Sequence, residues 1–258
     1  MGGRMNFFVK THILLIFFVG NLFSQTINTT LTYSVNLPSK KETKIPVLIL
    51  LHGYGSNETD LFDLAKAFDP RFITFSLRAP NQISESGYCW YPMDFLADGQ
   101  FKYEYQNAKS SRSKILSFIS NACKAYHLDS TRVFLLGFSQ GAIMSYDIAL
   151  SSPDKIKGIM ALSGRLLEES KQIKTNLAQL AKVKVFIAHG NSDNTIKIVE
   201  AERANTFFKE KQITDLTFKN YEMTHAISGK ELNDIKVWLV KAIAPPEKKL
   251  PITTGTKK

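Results

Sequence analysis

The feature that most constrains this chain is a serine between two glycines, placed where an apolar run meets an apolar-faced helical pattern. The run 133–136 reads VFLL, the next five residues read GFSQG, and 142–150 follow helical periodicity. This is the G-x-S-x-G arrangement, which holds a serine on a strained turn between a buried strand and a helix. It predicts Ser139 as a nucleophile, with the amide of Gln140 facing a developing oxyanion. The alternative is an ordinary tight turn with an inert serine.

Apolar runs and helical patterns alternate along the rest of the 258 residues. Continuous apolar runs are typical of strands covered on both faces, and such alternation predicts a parallel sheet. The sequence therefore predicts one doubly wound, mostly parallel α/β sheet with helices on both faces, preceded by an edge strand at 30–37. No internal repeat or second domain is present. Strands are expected at 45–51, 72–77, 133–136, 158–164, 183–188 and 216–221, and helices at 57–68, 104–126, 142–150, 166–181, 195–211 and from after His225 to Val240.

An acid and a base follow the serine, each beyond the end of a predicted strand. Asp193 follows the run 183–188, and His225 follows the run 216–221. Of the five histidines only His225 comes after this acid on a strand-end loop. The order Ser139, Asp193, His225 is that of a nucleophile, acid and base on such a sheet, so His225 is predicted to deprotonate Ser139. Taken alone, Asp193 is better explained as a turn aspartate that bonds its own loop.

A second glycine-rich turn, His52-Gly53-Tyr54-Gly55, follows the strand at 45–51. A loop in this position supplies the other oxyanion amide in hydrolases built on this sheet, and we assign it to Tyr54. For His52 a structural role as a brace of this loop is preferred to a catalytic one.

A long segment, 81–103, carries six aromatic residues. Its length favours a functional loop, and it is predicted to form a wall or cap over Ser139. Trp90, Tyr91 and His52 are the candidate substrate-pocket residues. A surface excursion packed on the core is an equally weighted alternative.

Charge and cysteine content narrow the possible ligands. The formal net charge is +10, but the lysines are dispersed, so nucleic-acid binding is not expected. Cys89 and Cys123 form no metal-binding motif, and free thiols are favoured over a disulfide between them. We therefore expect no bound metal. The expected partner is a small acyl ester, and the sequence does not specify an oligomeric state.

The first 24 residues have the pattern of an export signal. Arg4 and Lys10 precede a short apolar stretch at 13–19, and small polar residues follow. Cleavage is expected near Ser24, which predicts a secreted or periplasmic protein with no membrane span once the signal is removed. An uncleaved anchor is the alternative. Residues 25–244 would then form the folded domain, and 245–258 are predicted to be a flexible basic tail.

Four motifs in register resemble the phospholipase/carboxylesterase family, which includes acyl-protein thioesterases and small bacterial carboxylesterases. They are Leu51-His52-Gly53-Tyr54-Gly55, Gly137-Phe138-Ser139-Gln140-Gly141, His189-Gly190-x-x-Asp193 and Thr224-His225-x-Ile227. The resemblance covers about residues 45–241. It implies an α/β-hydrolase fold and cleavage of carboxylic esters or thioesters without a cofactor. It also implies Ser139, Asp193 and His225 as triad, with the amides of Tyr54 and Gln140 as oxyanion donors.

Two positions depart from the family pattern. Thr224 stands where glycine is frequent, and Asn194 where proline is frequent. These changes concern loop shape and substrate preference more than the triad. Two other functions remain as alternatives: a binding protein that has kept the fold without turnover, and a serine peptidase, which the absence of a propeller or large cap domain disfavours. A dienelactone-type hydrolase would need cysteine at position 139.

Overall fold

The computed structural model describes residues 26–40, 42–96 and 101–244. The predicted export signal at 1–24 and the predicted basic tail at 245–258 lie outside the described residues. Export, and with it a secreted or periplasmic location, therefore stays a prediction.

A seven-stranded sheet forms the centre of the fold, with the order β1-β3-β2-β8-β9-β10-β11. Only β1 runs antiparallel, against β3. Two small hairpins, β4–β5 and β6–β7, stand apart from this sheet. The strands are β1 (Tyr33–Asn36), β2 (Val47–Leu51), β3 (Ile73–Leu77), β4 (Asn81–Gln82), β5 (Tyr88–Cys89), β6 (Met93–Phe95), β7 (Phe101–Tyr103), β8 (Val133–Phe138), β9 (Gly158–Leu162), β10 (Lys184–Gly190) and β11 (Leu216–Tyr221).

Helices cover both faces of the sheet, as the alternating pattern predicts. The larger apolar cluster joins α1, α2 and α5 to one face, and a second cluster joins α6 to the other. The strands β2, β3 and β9 are buried along their whole length, so side chains on both of their faces pack in the core. This is why their sequences are largely apolar. The α-helices are α1 (Tyr105–Ala125), α2 (Gln140–Ser151), α3 (Glu168–Lys171), α4 (Leu177–Leu180), α5 (Ile198–Glu210) and α6 (Gly229–Ile243).

Two predicted helices and the aromatic loop take other forms. The helix expected at 57–68 is only a short 3-10 helix, Phe62–Ala67. The side chain of Asn57 instead accepts hydrogen bonds from the amide and hydroxyl of Thr59, and such local bonds compete with helix formation. The segment 166–181 contains two four-residue helices, α3 and α4. Most of the segment 81–103 folds back on itself as the two hairpins.

The glycines around Ser139 are required by the close approach of strand and helix. A Cβ on Gly141 would overlap the carbonyl oxygen of Leu51, and one on Gly137 would overlap that of Gly141. Both obstacles are backbone atoms, which cannot move aside as a flexible side chain can. The spacing of the two glycines therefore fixes how tightly α2 packs behind the end of β8.

A buried carboxyl group near the end of the chain makes stability depend on pH. Glu231 has no exposed surface and forms a capping box with Ser228 at the start of α6. Its Oε2 accepts from the Ser228 amide at 3.3 Å, while Oε1 has no hydrogen-bond partner within the described ranges of the chain. Burial raises the pKa of Glu231 from 4.5 to about 7.

We expect Glu231→Gln to remove this pH dependence. Protonated Glu231 contributes its full stabilisation below pH 4.5, and that contribution is lost as pH rises through about 7. The loss in the parent is on the order of 3 kcal/mol, whereas a glutamine stays neutral throughout. Urea unfolding of parent and variant at pH values on both sides of this window measures the difference. Glu202→Gln, at an exposed carboxylate of α5, is the control. Parallel pH profiles for the parent and Glu231→Gln would contradict the expectation.

Candidate active site

Ser139 lies at the turn between β8 and α2, in a backbone conformation that side chains rarely adopt. Its φ is 53° and its ψ is −114°, and it is the N-cap residue of α2. The turn is held from both sides, because the Ser139 amide donates to the carbonyl of Leu162 at 2.9 Å and its own carbonyl accepts from Ala142 at 3.0 Å. Strain of this kind persists only where the surroundings enforce it, and it is concentrated at functional sites.

His225 joins the serine to the acid through hydrogen bonds at both ring nitrogens. Nε2 lies 2.9 Å from Ser139 Oγ, and Nδ1 lies 2.7 Å from Asp193 Oδ2. An ionised carboxylate only accepts, so Nδ1 carries the proton and Nε2 is the acceptor for the serine hydroxyl. The ring also packs against Phe138, with centroids 4.9 Å apart. The structure thus brings together the three residues predicted as a triad.

Asp193 is held rigidly by its own loop. Its Oδ1 accepts from the amides of Thr195 and Ile196, each at 2.9 Å, which leaves Oδ2 for His225. One oxygen of this carboxylate therefore makes the hydrogen bonds of a turn aspartate, while the other makes the contact with His225 that the catalytic interpretation requires.

A second histidine, missed as a site residue by the sequence analysis, contacts the same acid. His189 Nε2 lies 3.2 Å from Asp193 Oδ2 and 2.7 Å from the carbonyl oxygen of Ile196. Both His189 and Asp193 have fully buried side chains. The only sequence signal was the position of His189 four residues before the acid.

The two predicted oxyanion residues flank Ser139. A Cβ placed on Gly53 would lie 3.4 Å from the Ser139 Cβ, so the turn that carries Tyr54 passes directly beside the serine. Gly55 has a φ of 83°, a conformation that glycine adopts without strain. Gln140 follows Ser139 in the first turn of α2, where backbone amides point toward the site.

The prediction that Trp90, Tyr91 and His52 line the pocket is wrong as stated, because all three are buried behind its wall. Trp90 and His52 have no exposed surface, and Tyr91 is 1% exposed. The indole of Trp90 donates to the carbonyl of His52 at 2.9 Å, and its amide donates to the side chain of Gln140 at 2.7 Å. Gln140 in turn donates to the carbonyl of Tyr91 at 2.8 Å. These residues support, from behind, the two segments that are predicted to supply the oxyanion amides, and they do not form a surface for substrate.

His52 is the brace that the preferred interpretation expected. Its Nδ1 donates to the carbonyl of Gly53 at 2.7 Å, and its Nε2 accepts from the amide of Ala79 at 3.0 Å. Burial lowers the pKa of His52 below its usual 6.5, which keeps the ring neutral.

A cleft of about 170 Å³ opens in front of Ser139 and His225. The segment 81–103 does contribute to its wall, but through Met93 and Phe101 and not through the predicted aromatic pair. Ile143 lines the cleft from α2, and Arg165 lines it from the segment after β9. No periodic pattern in the sequence predicted that either residue would lie there. The described lining residues are Tyr54, Met93, Phe101, Ser139, Gln140, Ile143, Arg165, Thr195, Ile196 and His225.

The part of the chain that the structure describes contains neither a metal-binding cluster nor a disulfide. Its His, Cys, Asp and Glu side chains form no group of three or more suited to a metal ion. Cys89 and Cys123 are free and buried, and burial raises the pKa of each thiol to about 11. Over the same residues no helix is long and apolar enough to cross a membrane.

Comparison with known proteins gives one consistent family. The phospholipase/carboxylesterase family model matches residues 32–243. Acyl-protein thioesterase 1 of Kluyveromyces lactis is 29% identical over 229 residues, which cover 81% of this chain and 97% of the relative. The carboxylesterase of Bacillus cereus superposes with a TM-score of 0.71 at 25% identity, covering 83% of this chain and 96% of that one. A carboxylesterase from Mesorhizobium loti, 20% identical, has the same fold with a TM-score of 0.71 and covers 84% of this chain and 98% of its own. The resemblance predicted from the four motifs is confirmed, and the chain belongs to the phospholipase/carboxylesterase family of α/β hydrolases.

Proposed function

We propose that this protein is a serine carboxylesterase that cleaves carboxylic esters or thioesters through an acyl-enzyme on Ser139. The observation that carries the proposal is the continuous hydrogen-bonded chain from Ser139 through His225 to Asp193, at the carboxyl edge of the sheet. Family membership supports ester hydrolysis as the reaction class. A serine hydroxyl is a poor nucleophile unless a neighbouring base removes its proton, and His225 is placed to do so.

The first half-reaction transfers the acyl group to the enzyme. Ser139 Oγ attacks the acyl carbon while its proton passes to His225 Nε2, and the carbonyl oxygen becomes an oxyanion. When the intermediate collapses, the bond to the alcohol or thiol breaks, and the leaving group takes the proton from His225. Water then attacks the acyl-enzyme with the same proton transfers, releasing the acid and restoring Ser139.

Asp193 and the flanking amides lower the energy of the charged states. Asp193 holds the imidazole in the tautomer that accepts from Ser139, and its charge stabilises the imidazolium that forms. The amides of Tyr54 and Gln140 are assigned to the oxyanion. Loss of one such donor typically costs about 3 kcal/mol of barrier.

The size of the cleft favours a small acyl group. Its volume of about 170 Å³ is below the range of roughly 300–1,000 Å³ that is usual for ligand pockets. Apolar side chains of Met93, Ile143 and Ile196 lie along it, which suits a short hydrocarbon chain. We therefore expect short-chain esters and thioesters to be the better substrates. No specific observation favours the binding-protein or peptidase alternative.

A series of 4-nitrophenyl esters from acetate to dodecanoate tests the proposal, with matched acyl thioesters assayed in parallel. We expect kcat/KM to be highest for the shorter chains. We also expect an initial burst of 4-nitrophenol of about one per active site wherever hydrolysis of the acyl-enzyme is the slower step. A folded protein that cleaves none of these compounds would contradict the assignment as an esterase.

A further inference from the structure

One cationic side chain lies on the wall of the cleft that contains Ser139. Arg165 is the only arginine or lysine among the described lining residues. The esterase chemistry proposed above does not need it, because the oxyanion is assigned to backbone amides. A guanidinium in the same cleft as Ser139 therefore needs a separate explanation.

The backbone holds Arg165 in a fixed position. It follows β9 by three residues, and the amide of Ser163 donates to the carbonyl of Ala188 at 2.9 Å. Gly164 packs so closely on α2 that an added Cβ would lie 2.5 Å from the Cβ of Ala142. On the other side Leu166 and Leu167 are buried. The arginine is thus presented by a rigid segment whose other side chains point into the core.

The guanidinium is stacked on an aromatic ring and has no acidic partner in the part of the chain that the structure describes. Its carbon lies 4.5 Å from the centroid of the Phe101 ring. Among the described residues no carboxylate forms an ion pair or hydrogen bond with it. The nearby Glu169 accepts a hydrogen bond from the hydroxyl of Tyr103 at 2.8 Å instead. Stacking occupies one face of the planar group, so its in-plane N–H donors stay available.

We propose that Arg165 binds a carboxylate on the substrate, so that the preferred esters carry an anionic group on the acyl or alcohol side. The planar fork of an arginine matches a carboxylate with two parallel hydrogen bonds. Such a cation also offsets the repulsion between an anionic substrate and the buried charge of Asp193, which is fully enclosed behind His225. This inference rests on the proposed function, since it names the substrate class of that same site.

Two pairs of esters test the proposal by separating charge from shape. Monoethyl glutarate is paired with ethyl 5-methylhexanoate, and carboxymethyl butyrate with isobutyl butyrate, so that the anion is on the acyl side in one pair and the alcohol side in the other. Acid release is followed by pH-stat titration. For each pair the ratio of kcat/KM for the charged ester to that for the neutral ester is measured in the parent, in Arg165→Met and in Arg165→Lys. Arg203→Met is the control, because Arg203 is exposed on α5 and paired with Glu200.

In at least one pair we expect Arg165→Met to lower the ratio by about 10- to 100-fold, as for loss of a hydrogen-bonded ion pair. Arg165→Lys keeps the charge but not the fork, so its ratio should be intermediate, and the parent's ratio should fall with added salt. Arg203→Met should have the parent's ratio. A parent that cleaves the neutral esters, with ratios unchanged by Arg165→Met in both pairs, would overturn this inference alone. A folded parent that cleaves neither kind of ester would instead refute the proposed function.

Discussion

Replacing Ser139 with alanine is expected to lower kcat for ester hydrolysis by about 10⁵- to 10⁶-fold, as in other triad enzymes, while the fold is kept. In the proposed mechanism the Ser139 hydroxyl forms the acyl-enzyme, and its one described side-chain hydrogen bond is to His225 at 2.9 Å. Alanine at a φ of 53° is no more strained than serine, so the free energy of unfolding should stay near the parent's. Turnover of a short-chain 4-nitrophenyl ester and urea unfolding measure the two quantities.

A second serine provides a matched control for this substitution. Ser163 also has a positive φ, of 51°, and is fully buried, but its hydroxyl has no hydrogen-bond partner among the residues that the structure describes. Ser163→Ala should therefore hydrolyse the ester like the parent. Equal turnover by purified Ser139→Ala and parent would show that the nucleophile lies elsewhere.

Replacing Asp193 with asparagine is expected to reduce kcat by about 10⁴-fold without unfolding the loop. The asparagine carbonyl can still accept from the amides of Thr195 and Ile196, as Oδ1 does in the parent. Its amide then faces His225 Nδ1 as a donor. This favours the other tautomer, whose Nε2–H points at Ser139 and cannot take its proton.

The control for Asp193→Asn is Asp215→Asn, which lies at the amino ends of the parallel strands. Asp215 comes immediately before β11 and pairs with Lys184, far from the carboxyl ends of the strands. This variant should keep the parent's kcat. If Asp193→Asn retained activity within about tenfold of the parent, the acid would be misassigned.

The parts of the fold that the sequence predicted are those fixed by local pattern. The strands β2, β3 and β9 are buried along their length, so their largely apolar sequences were enough to predict strands covered on both faces. The glycines at 137 and 141 mark a close approach that no other residue permits. Chain order was enough to select Asp193 and His225, because the carboxyl ends of parallel strands meet at one edge of the sheet.

The remaining features depend on contacts between distant parts of the chain. The bond from the Trp90 amide to Gln140 joins residues 50 positions apart, and no local pattern distinguishes a buried indole from one that lines a pocket. Arg165 owes its place in the cleft to the packing of Gly164 against α2 and to Phe101. The helix expected at 57–68 does not form over its full length, because the side chain of Asn57 makes local hydrogen bonds that compete with it. The periodicity of apolar residues does not reveal such bonds.

Covalent labelling measures whether His225 activates Ser139, as the proposed mechanism requires. The purified protein, Ser139→Ala and Ser163→Ala would each be treated with a fluorophosphonate, and the modified peptide mapped by mass spectrometry. An activated serine attacks the phosphorus and keeps the phosphonyl group, whereas an ordinary serine does not react. We expect one label on Ser139 in the parent and in Ser163→Ala, and none in Ser139→Ala. A folded parent that stays unlabelled, or a label that persists in Ser139→Ala, would contradict the proposed mechanism.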